Sequence, residues 1–287
     1  MTACLIWIVL LAISLLLVAI ATLVASGRKR FRAMVSSNVA ELYSEPAQEV
    51  GSMEMNQRWE SLPEPVRRHL RYAIYASRGP MRTARLKHGG FFRTRPGQRW
   101  LPIQGEEYFT IRRPGFVWDA SIRLAPGLWI EARDRLHRGR GHMLVKLWSA
   151  FKMADARGAE IDQGALLRWL AEVVWFPFGF VGEAIQWEAV DARSARATII
   201  EGGSPLSAIF EGDEEGKFVR LRANRYWDVG GGKTVLTPWV GLCNDYRDFG
   251  GVRIPAEIEV HWQLEQGDFS YARFRVTALE FNVPGRF

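Results

Sequence analysis

A β-sheet is indicated by the segment Phe116-Val117-Trp118-Asp119-Ala120-Ser121-Ile122-Arg123-Leu124, in which the apolar side chains recur at every second position. A period of two places alternate side chains on opposite faces of a strand. The same period recurs over 257–264 and, in shorter form, over 185–190, 196–200, 219–223 and 273–278. Glycine- and proline-containing turns separate these segments. We therefore expect a mainly β fold, built on a large curved antiparallel sheet (a half-barrel) with one covered face.

Two segments have helical spacing instead. Ser61-Leu62-Pro63-Glu64 has the form of a capping box, with Ser61 as the cap, before a helix that Gly79-Pro80 would end. A second helix is expected from Asp162, as its cap, to Val174, because Leu166, Trp169, Leu170 and Val173 would share one face. We predict a short helix before the sheet and an inserted helix on its concave face.

The N-terminal region predicts a membrane helix. Residues 3–25 form an apolar run that only Ser14 and Thr22 interrupt. At about 1.5 Å per helical residue, this run can cross a hydrocarbon core of about 30 Å. A cleaved signal peptide would have a basic start, a shorter apolar core and a small-residue cleavage site, and none of these fits here. We expect a retained transmembrane helix.

The predicted organisation has three parts: a transmembrane anchor at 1–27, a basic flank and linker at 28–60, and a single β-rich domain at 61–287. Part of 31–43 could extend the anchor helix. Arg28, Lys29, Arg30 and Arg32 follow the apolar run. The positive-inside rule keeps such a flank in the cytoplasm, so the domain is expected there, with the extracytoplasmic side as the alternative.

The charge balance argues against a nucleic-acid partner. The formal net charge is +7, from 38 basic and 31 acidic residues. Four of the basic residues and none of the acidic ones lie in the first 32 residues, so the rest of the chain is nearly balanced. A nucleic-acid footprint would need basic residues gathered on one face. The cluster around Arg135–Arg140 is broken by glycine and is interpreted as a turn.

Motifs for chemistry are weak. Gly230-Gly231-Gly232-Lys233-Thr234 imitates the end of a phosphate-binding loop, but Trp227 stands where the first glycine is needed, so a hairpin turn is predicted. The histidines show no zinc spacing and are interpreted as surface residues: His69, His88, His137, His142 and His261. Asp119 is expected to pair with Arg123 or Arg133. We predict no cofactor, no metal and no catalytic residue.

The aromatic residues offer a candidate ligand site. Most tryptophans are expected to fill the core, since each buries a large apolar area. The densest aromatic segment follows the inserted helix, and a curved sheet would leave a concave surface beneath it. We predict a hydrophobic pocket, able to take a lipid or acyl chain, lined by Trp118, Trp169, Leu170, Val173, Trp175, Phe176, Phe178 and Phe180.

Several motifs carry a resemblance to a known group: Leu62-Pro63-Glu64-Pro65, Pro114-Gly115-Phe116-Val117-Trp118-Asp119-Ala120, Trp175-Phe176-Pro177 and Thr237-Pro238-Trp239. Over 62–281 the chain resembles an uncharacterised bacterial family of membrane-anchored domains, which implies a bacterial cell membrane but no residue roles. In pattern it more distantly resembles the lipoprotein-carrier superfamily (LolA, LolB and LppX-like), whose half-barrels hold acyl chains.

Three functions therefore stay open. The leading expectation is a membrane-anchored, non-catalytic domain that binds a lipid or other hydrophobic ligand. The alternative is a membrane-tethered interaction or sensory domain with a filled core. The third is an enzyme of unknown class, which would need a pocket lined by titratable groups with perturbed pKa values.

Overall fold

The computed structural model describes residues 2–44, 52–75, 81–201, 203 and 205–287. Helices in this part of the chain are α1 Thr2–Tyr43, α2 Ser52–Ser61, α3 Glu64–Ala73 and α4 Ala159–Glu172. Two 3₁₀ turns, Val173–Trp175 and Pro177–Val181, follow α4. The strands are β1 Thr83–Phe92, β2 Leu101–Thr110, β3 Gly115–Ala125, β4 Leu128–His137, β5 Arg140–Leu147, β6 Phe151–Ala156, β7 Ile185–Ala189, β8 Ser194–Ile199, β9 Leu206–Gly212, β10 Phe218–Gly230, β11 Lys233–Asp248, β12 Arg253–Leu264 and β13 Gly267–Phe281.

All thirteen strands form one antiparallel sheet. Their order is β6-β5-β4-β3-β2-β1-β13-β12-β11-β10-β9-β8-β7, so two meanders meet where β1 pairs with β13. Each segment with a period of two is a strand, and the glycine-rich motif at 230–232 is the tight connection of the β10–β11 hairpin. The predicted antiparallel sheet is confirmed.

The sheet curls around α4. This helix lies in the chain between β6 and β7, which are the two edge strands. It contacts β4 and β5 near one edge and β9 and β10 near the other. One helix can touch strands so far apart in the order only if the sheet bends around it. The predicted half-barrel, with an inserted helix on its concave face, is confirmed.

The second half of α1 packs on the opposite, convex face. Phe31, Val35, Val39 and Leu42 are buried there against Tyr108 and its neighbours Val117 and Leu144. A spacing of four, four and three residues gives one apolar stripe along a helix. Residues 28–43, assigned above to the flank and linker, are therefore helical and fixed to the sheet. The three-part domain division itself stays a proposal.

The first half of α1 stands free of the domain. Its side chains from Cys4 to Leu23 are exposed. Within the described residues, α1 is the one helix long and apolar enough to cross a membrane, although a signal sequence at this position would pass the same test. The helix thus supports membrane association, and it does not by itself tell which side the domain occupies.

Two predicted helix caps are wrong. The Ser61 hydroxyl donates to the carbonyl of Arg58, so Ser61 ends α2 and Pro63 caps α3. Gly158 caps α4. Asp162 lies one turn inside that helix, where its carboxylate accepts hydrogen bonds from the Gly141 amide at 2.7 Å and from Arg140 at 2.9 Å. Neither side chain caps the predicted helix, because Ser61 bonds to the preceding helix and Asp162 bonds to residues of β5. Gly79-Pro80 lies outside the described residues.

The ends of the half-barrel differ in their relation to α1. We call one the anchor end: it carries the connections at 93–100, 126–127, 148–150, 231–232 and 265–266. Gly27 of α1 lies against it, so close that a Cβ there would be 2.9 Å from Ala150 Cα. The opposite far end is reached by the C-terminus of α1, where the Tyr43 hydroxyl donates to the Ala84 carbonyl at 3.1 Å.

Candidate functional site

A cavity of about 280 Å³ lies between α4 and the concave face of the sheet. Its walls come from both meanders as well as from α4 and the first 3₁₀ turn. Aromatic side chains form much of the lining: Phe92, Trp118, Trp175, Trp239, Trp262, Tyr271 and Phe274. The structure therefore has the hollow that the curved sheet predicted, with mainly apolar walls.

Two of the eight predicted ligand-contacting residues line this cavity, namely Trp118 and Trp175. Trp175 is held by a hydrogen bond from its Nε1 to the Pro255 carbonyl at 3.1 Å. The other six lie in the packed core nearer the far end, and all but the half-buried Phe178 are fully buried: Trp169, Leu170, Val173, Phe176, Phe178 and Phe180.

The cavity is lined by several residues outside the predicted ligand-contacting set. Trp239, Trp262, Tyr271 and Phe274, from β11, β12 and β13, line the cavity but were not singled out as ligand contacts. A usable signal was present in β12, where Ile258, Val260 and Trp262 share one phase of the alternation. All three line the cavity.

A buried ionic cluster closes the α4 side of the cavity. The Arg168 guanidinium donates from Nη2 to Glu107 Oε1 at 2.8 Å, from Nη1 to Asp134 Oδ2 at 3.0 Å and from Nε to Glu172 Oε1 at 2.8 Å. It also lies 4.8 Å from the Trp118 ring centre. Because all three of its donor nitrogens are engaged, Arg168 orients the cluster and braces an aromatic wall.

Burial changes the protonation of these carboxyls. It raises the pKa of Glu107 well above the ordinary value, and the adjacent Glu172 raises it further. Burial likewise raises the pKa of Glu172 and of Asp134, against the opposing effect of Arg168. Burial thus disfavours the charged form of each carboxyl, and the Arg168 guanidinium favours it.

Arg225 of β10 offers the cavity a free donor. Its Nη2 donates to the Gly164 carbonyl at 3.1 Å, and its guanidinium lies 5.0 Å from the Trp239 ring centre. Its Nε is buried and lacks a hydrogen-bond partner within the described part of the chain. Since an unpaired buried donor is costly, the atom is available to a ligand oxygen.

His88 fixes the position of Trp118. The indole Nε1 of Trp118 donates to His88 Nε2 at 2.9 Å, so that nitrogen must be unprotonated. Burial, helped by the Arg168 charge, lowers the pKa of His88 to about 3. His69 is also fully buried, and burial lowers its pKa to about 4. The interpretation of these two histidines as surface residues was wrong, because each finds a tertiary hydrogen-bond partner.

The predicted partners of Asp119 were also wrong. Arg133 lies opposite Asp119 in the β3–β4 register, but the ion pair at 2.7 Å is formed with Arg286 near the C-terminus. Burial raises the pKa of Asp119 to about 6 in spite of this partner. The pair is on the convex side, away from the cavity lining, and closes the C-terminal segment onto the sheet.

The family of unknown function DUF6544 matches residues 52–274, more than three quarters of the chain. The chain belongs to the DUF6544 family. The predicted membership of an uncharacterised family is confirmed. No protein of curated function matches this DUF6544 member.

Two solved structures are similar to this DUF6544 domain at low identity. One is a LolA superfamily protein from Nitrosomonas europaea, with 9% identity and a TM-score of 0.39, covering 82% of this chain and 95% of that one. The other is a putative outer membrane lipoprotein-sorting protein domain from Vibrio parahaemolyticus, with 8% identity and a TM-score of 0.38, covering 80% and 92%. At these values the similarities say nothing about what the DUF6544 domain binds.

Proposed function

We propose that this protein is a membrane-anchored domain that binds one small hydrophobic ligand in the concave cavity. The observation that carries the proposal is the aromatic-walled space of about 280 Å³ beneath α4. Small-molecule pockets are mostly apolar with a few placed polar groups, and they usually measure about 300–1,000 Å³. This cavity lies at the lower limit, so it suits a single acyl chain or a small ring system rather than a lipid with several chains.

The polar groups favour an amphipathic ligand. Arg225 Nε is an unpaired donor, and the ionic cluster of Arg168, Asp134 and Glu172 occupies the same side of the cavity. An oxygen-bearing head against Arg225, with its tail along Trp239 and Trp262, would satisfy that donor and bury the tail. The α1 helix adds a reason for such a ligand, since a domain tethered at a bilayer is surrounded by amphiphiles.

Native mass spectrometry of the full chain in lipid nanodiscs tests ligand binding. We expect the wild-type protein to retain a bound small molecule, and Ala272→Phe to lose it by filling the cavity. Ala171→Phe, from the α4 side, should do the same. Ala154→Phe is the matched control, because Ala154 is exposed on β6. A wild-type protein without ligand, or equal occupancy in all four proteins, would refute the proposal.

A second candidate, an enzyme, is favoured by one observation: Glu172, whose pKa burial raises, lines the cavity together with Asp134. A carboxyl of this kind can act as a general acid. The Glu172→Gln variant separates the two functions. A simple binder would carry the same ligand mass in both proteins. An enzyme would accumulate, in the variant only, a compound that the wild-type protein converts.

For topology, we propose that the domain lies in the cytoplasm, on the basis of the flank at 28–32. A Val190→Cys label site in a Cys4→Ser background tests this, because Val190 is exposed and Cys243 is buried. A membrane-impermeant maleimide should label the cysteine only after the cells are permeabilised. Labelling of intact cells would place the domain outside.

A further inference from the structure

The anchor end carries an unusual concentration of exposed apolar side chains. Outside α1, most of the large exposed apolar residues in the described part of the chain lie there: Phe91, Phe151, Met153, Tyr226, Val229, Val235 and Leu236. The exceptions are Tyr75, Val190 and Val219 near the far end and Ile200 beside the β4–β5 turn. Scattered apolar residues on a surface are ordinary, but their collection along one rim marks an interaction surface.

The β10–β11 hairpin extends beyond its neighbours at this end. Strand β9 pairs with β10 only as far as Ala223, and β12 pairs with β11 only from Trp239 onward. Residues 224–238 therefore pair within the hairpin alone. Their tip, Gly230–Gly232, is flanked by the exposed Val229, Lys233, Val235 and Leu236. The base of the hairpin packs through Trp227 on Trp262 and Phe269, whereas the tip is exposed. An exposed apolar tip on a two-stranded hairpin favours contact with a partner surface.

Charge identifies the partner. Basic residues at the anchor end and on the adjoining turn of α1 outnumber acidic ones. The basic set is Arg28, Lys29, Arg30, Arg32, Arg93, Arg95, Arg99, Arg123, Lys146, Lys152 and Lys233, and the acidic set is Glu131, Asp228, Glu265 and Asp268. A surface that combines apolar and basic side chains suits an anionic lipid bilayer. Half-exposed tryptophans at the same end, Trp100, Trp129 and Trp148, suit the interfacial layer.

We infer that the anchor end docks on the surface of an anionic bilayer, with the tip of the β10–β11 hairpin inserted among the headgroups. The inference rests on the proposed membrane anchoring, because α1 meets the domain at this end, at the contact between Gly27 and Ala150. The membrane that α1 crosses is then the surface that this rim faces. Phe92, Trp262 and Tyr271 line the cavity within a few residues of the same strand ends, so docking brings the ligand site to the lipid surface.

Two engineered cysteines in the full chain, reconstituted in proteoliposomes, test the docking. Val235→Cys and Val190→Cys, each in a Cys4→Ser background, place a bimane label on a valine of similar exposure, 50% at the anchor end and 45% at the far end. With headgroup-level nitroxide lipids in anionic vesicles, we expect strong quenching at residue 235 and little at residue 190. Adding Leu236→Asp to the first protein should reduce its quenching.

Lipid charge gives a second readout. Each basic side chain at an anionic surface favours docking by about fivefold, so neutral vesicles or high salt should lower quenching at residue 235 severalfold. Equal quenching at residues 235 and 190 would overturn the inference. A blue-shifted label that nitroxide lipid fails to quench would also overturn it, because the hairpin would then lie against protein.

Two further measurements on the same samples distinguish the docking from the proposed anchoring and from the proposed ligand binding. Carbonate-resistant association with vesicles reports whether α1 is inserted, and its absence would overturn both the anchoring and the docking. Native mass spectrometry reports ligand occupancy independently of the label. A protein that retains its ligand but shows no quenching at residue 235 would refute the docking alone.

Discussion

Two parts of the concave face are lined by the same kinds of residue but differ in packing. One is the packed core near the far end, and the other surrounds the cavity. In the first, Trp169, Phe176, Phe180, Phe210 and Phe218 are fully buried against one another and against the insert. In the second, the aromatic side chains of β11–β13 surround a space of about 280 Å³. Aromatic composition therefore does not mark a pocket. What distinguishes the two parts is how far α4 and its 3₁₀ turns reach across the sheet.

The largest effect is expected from Arg168, which stands at the boundary of the two parts. Arg168→Met would leave three buried carboxyls without their cation, and we expect a loss of about 5 kcal/mol in the free energy of unfolding at neutral pH. Without the guanidinium the folded-state pKa values of these acids rise further above those of the unfolded chain. Stability should therefore fall as the pH rises, with a greater loss at pH 8 than at pH 5.

Urea unfolding of the full chain in detergent micelles, followed by tryptophan fluorescence, measures both quantities. Arg225→Met is the control, since Arg225 is not part of the three ion pairs. A loss for Arg168→Met no greater than for the control would show that the cluster does not stabilise the boundary.

Matched phenylalanine truncations compare the two parts directly. Phe180 is fully buried and lies 5.7 Å and 5.8 Å from the ring centres of Phe210 and Phe218, whereas Phe274 lines the cavity. We expect Phe180→Ala to cost about 4 kcal/mol through the void it creates, and Phe274→Ala less than about half of that. Equal losses in urea unfolding would mean that both parts are packed alike.

His88, which packs beside the cavity wall, should make the stability of the domain depend on pH. Its folded-state pKa of about 3 lies below the ordinary value of 6.5. The unfolded chain therefore binds the extra proton as the pH falls below about 6.5, and stability declines by up to about 1.4 kcal/mol per pH unit toward pH 3. His88→Gln, whose amide oxygen can still accept from Trp118, should remove this part of the slope. Parallel unfolding profiles between pH 7 and pH 5 would contradict the assignment.

The smallest expected changes in stability come from alanine substitutions at two glycines on the concave face. A Cβ at Gly241, on the cavity wall, would have no contact closer than 3.6 Å, so Gly241→Ala should stabilise the sheet by about 0.5 kcal/mol. A Cβ at Gly105 would clash with the His88 ring, so Gly105→Ala should destabilise it by about 1–3 kcal/mol. Thermal unfolding of both variants checks the signs, and a stabilised Gly105→Ala would refute the packing described around His88.

Features that depend on residues close in sequence could be predicted from the sequence, and features that depend on contacts between distant segments could not. The period of two in 116–124 and 257–264 is local, so the strands and the antiparallel sheet were predictable. The cavity walls were not, because they depend on which strands face the insert across the barrel. The segment Trp169–Phe180 attracted attention for its aromatic density, yet residues so close in sequence pack mainly on each other and on the sheet beside them. His88 was missed because its partner, Trp118, lies on another strand.

The unbroken course of α1 has a consequence for how a ligand would reach the proposed site. The helix is continuous from residue 2 to residue 43, so it contains no hinge about which the domain could rotate. The second half of α1 is packed on the sheet. Because this helix has no flexible joint, insertion of α1 would fix the distance and the tilt of the cavity relative to the bilayer. On the proposed anchoring, the domain would stay at one place on the membrane, and a ligand would reach the proposed site through the bilayer or from another protein.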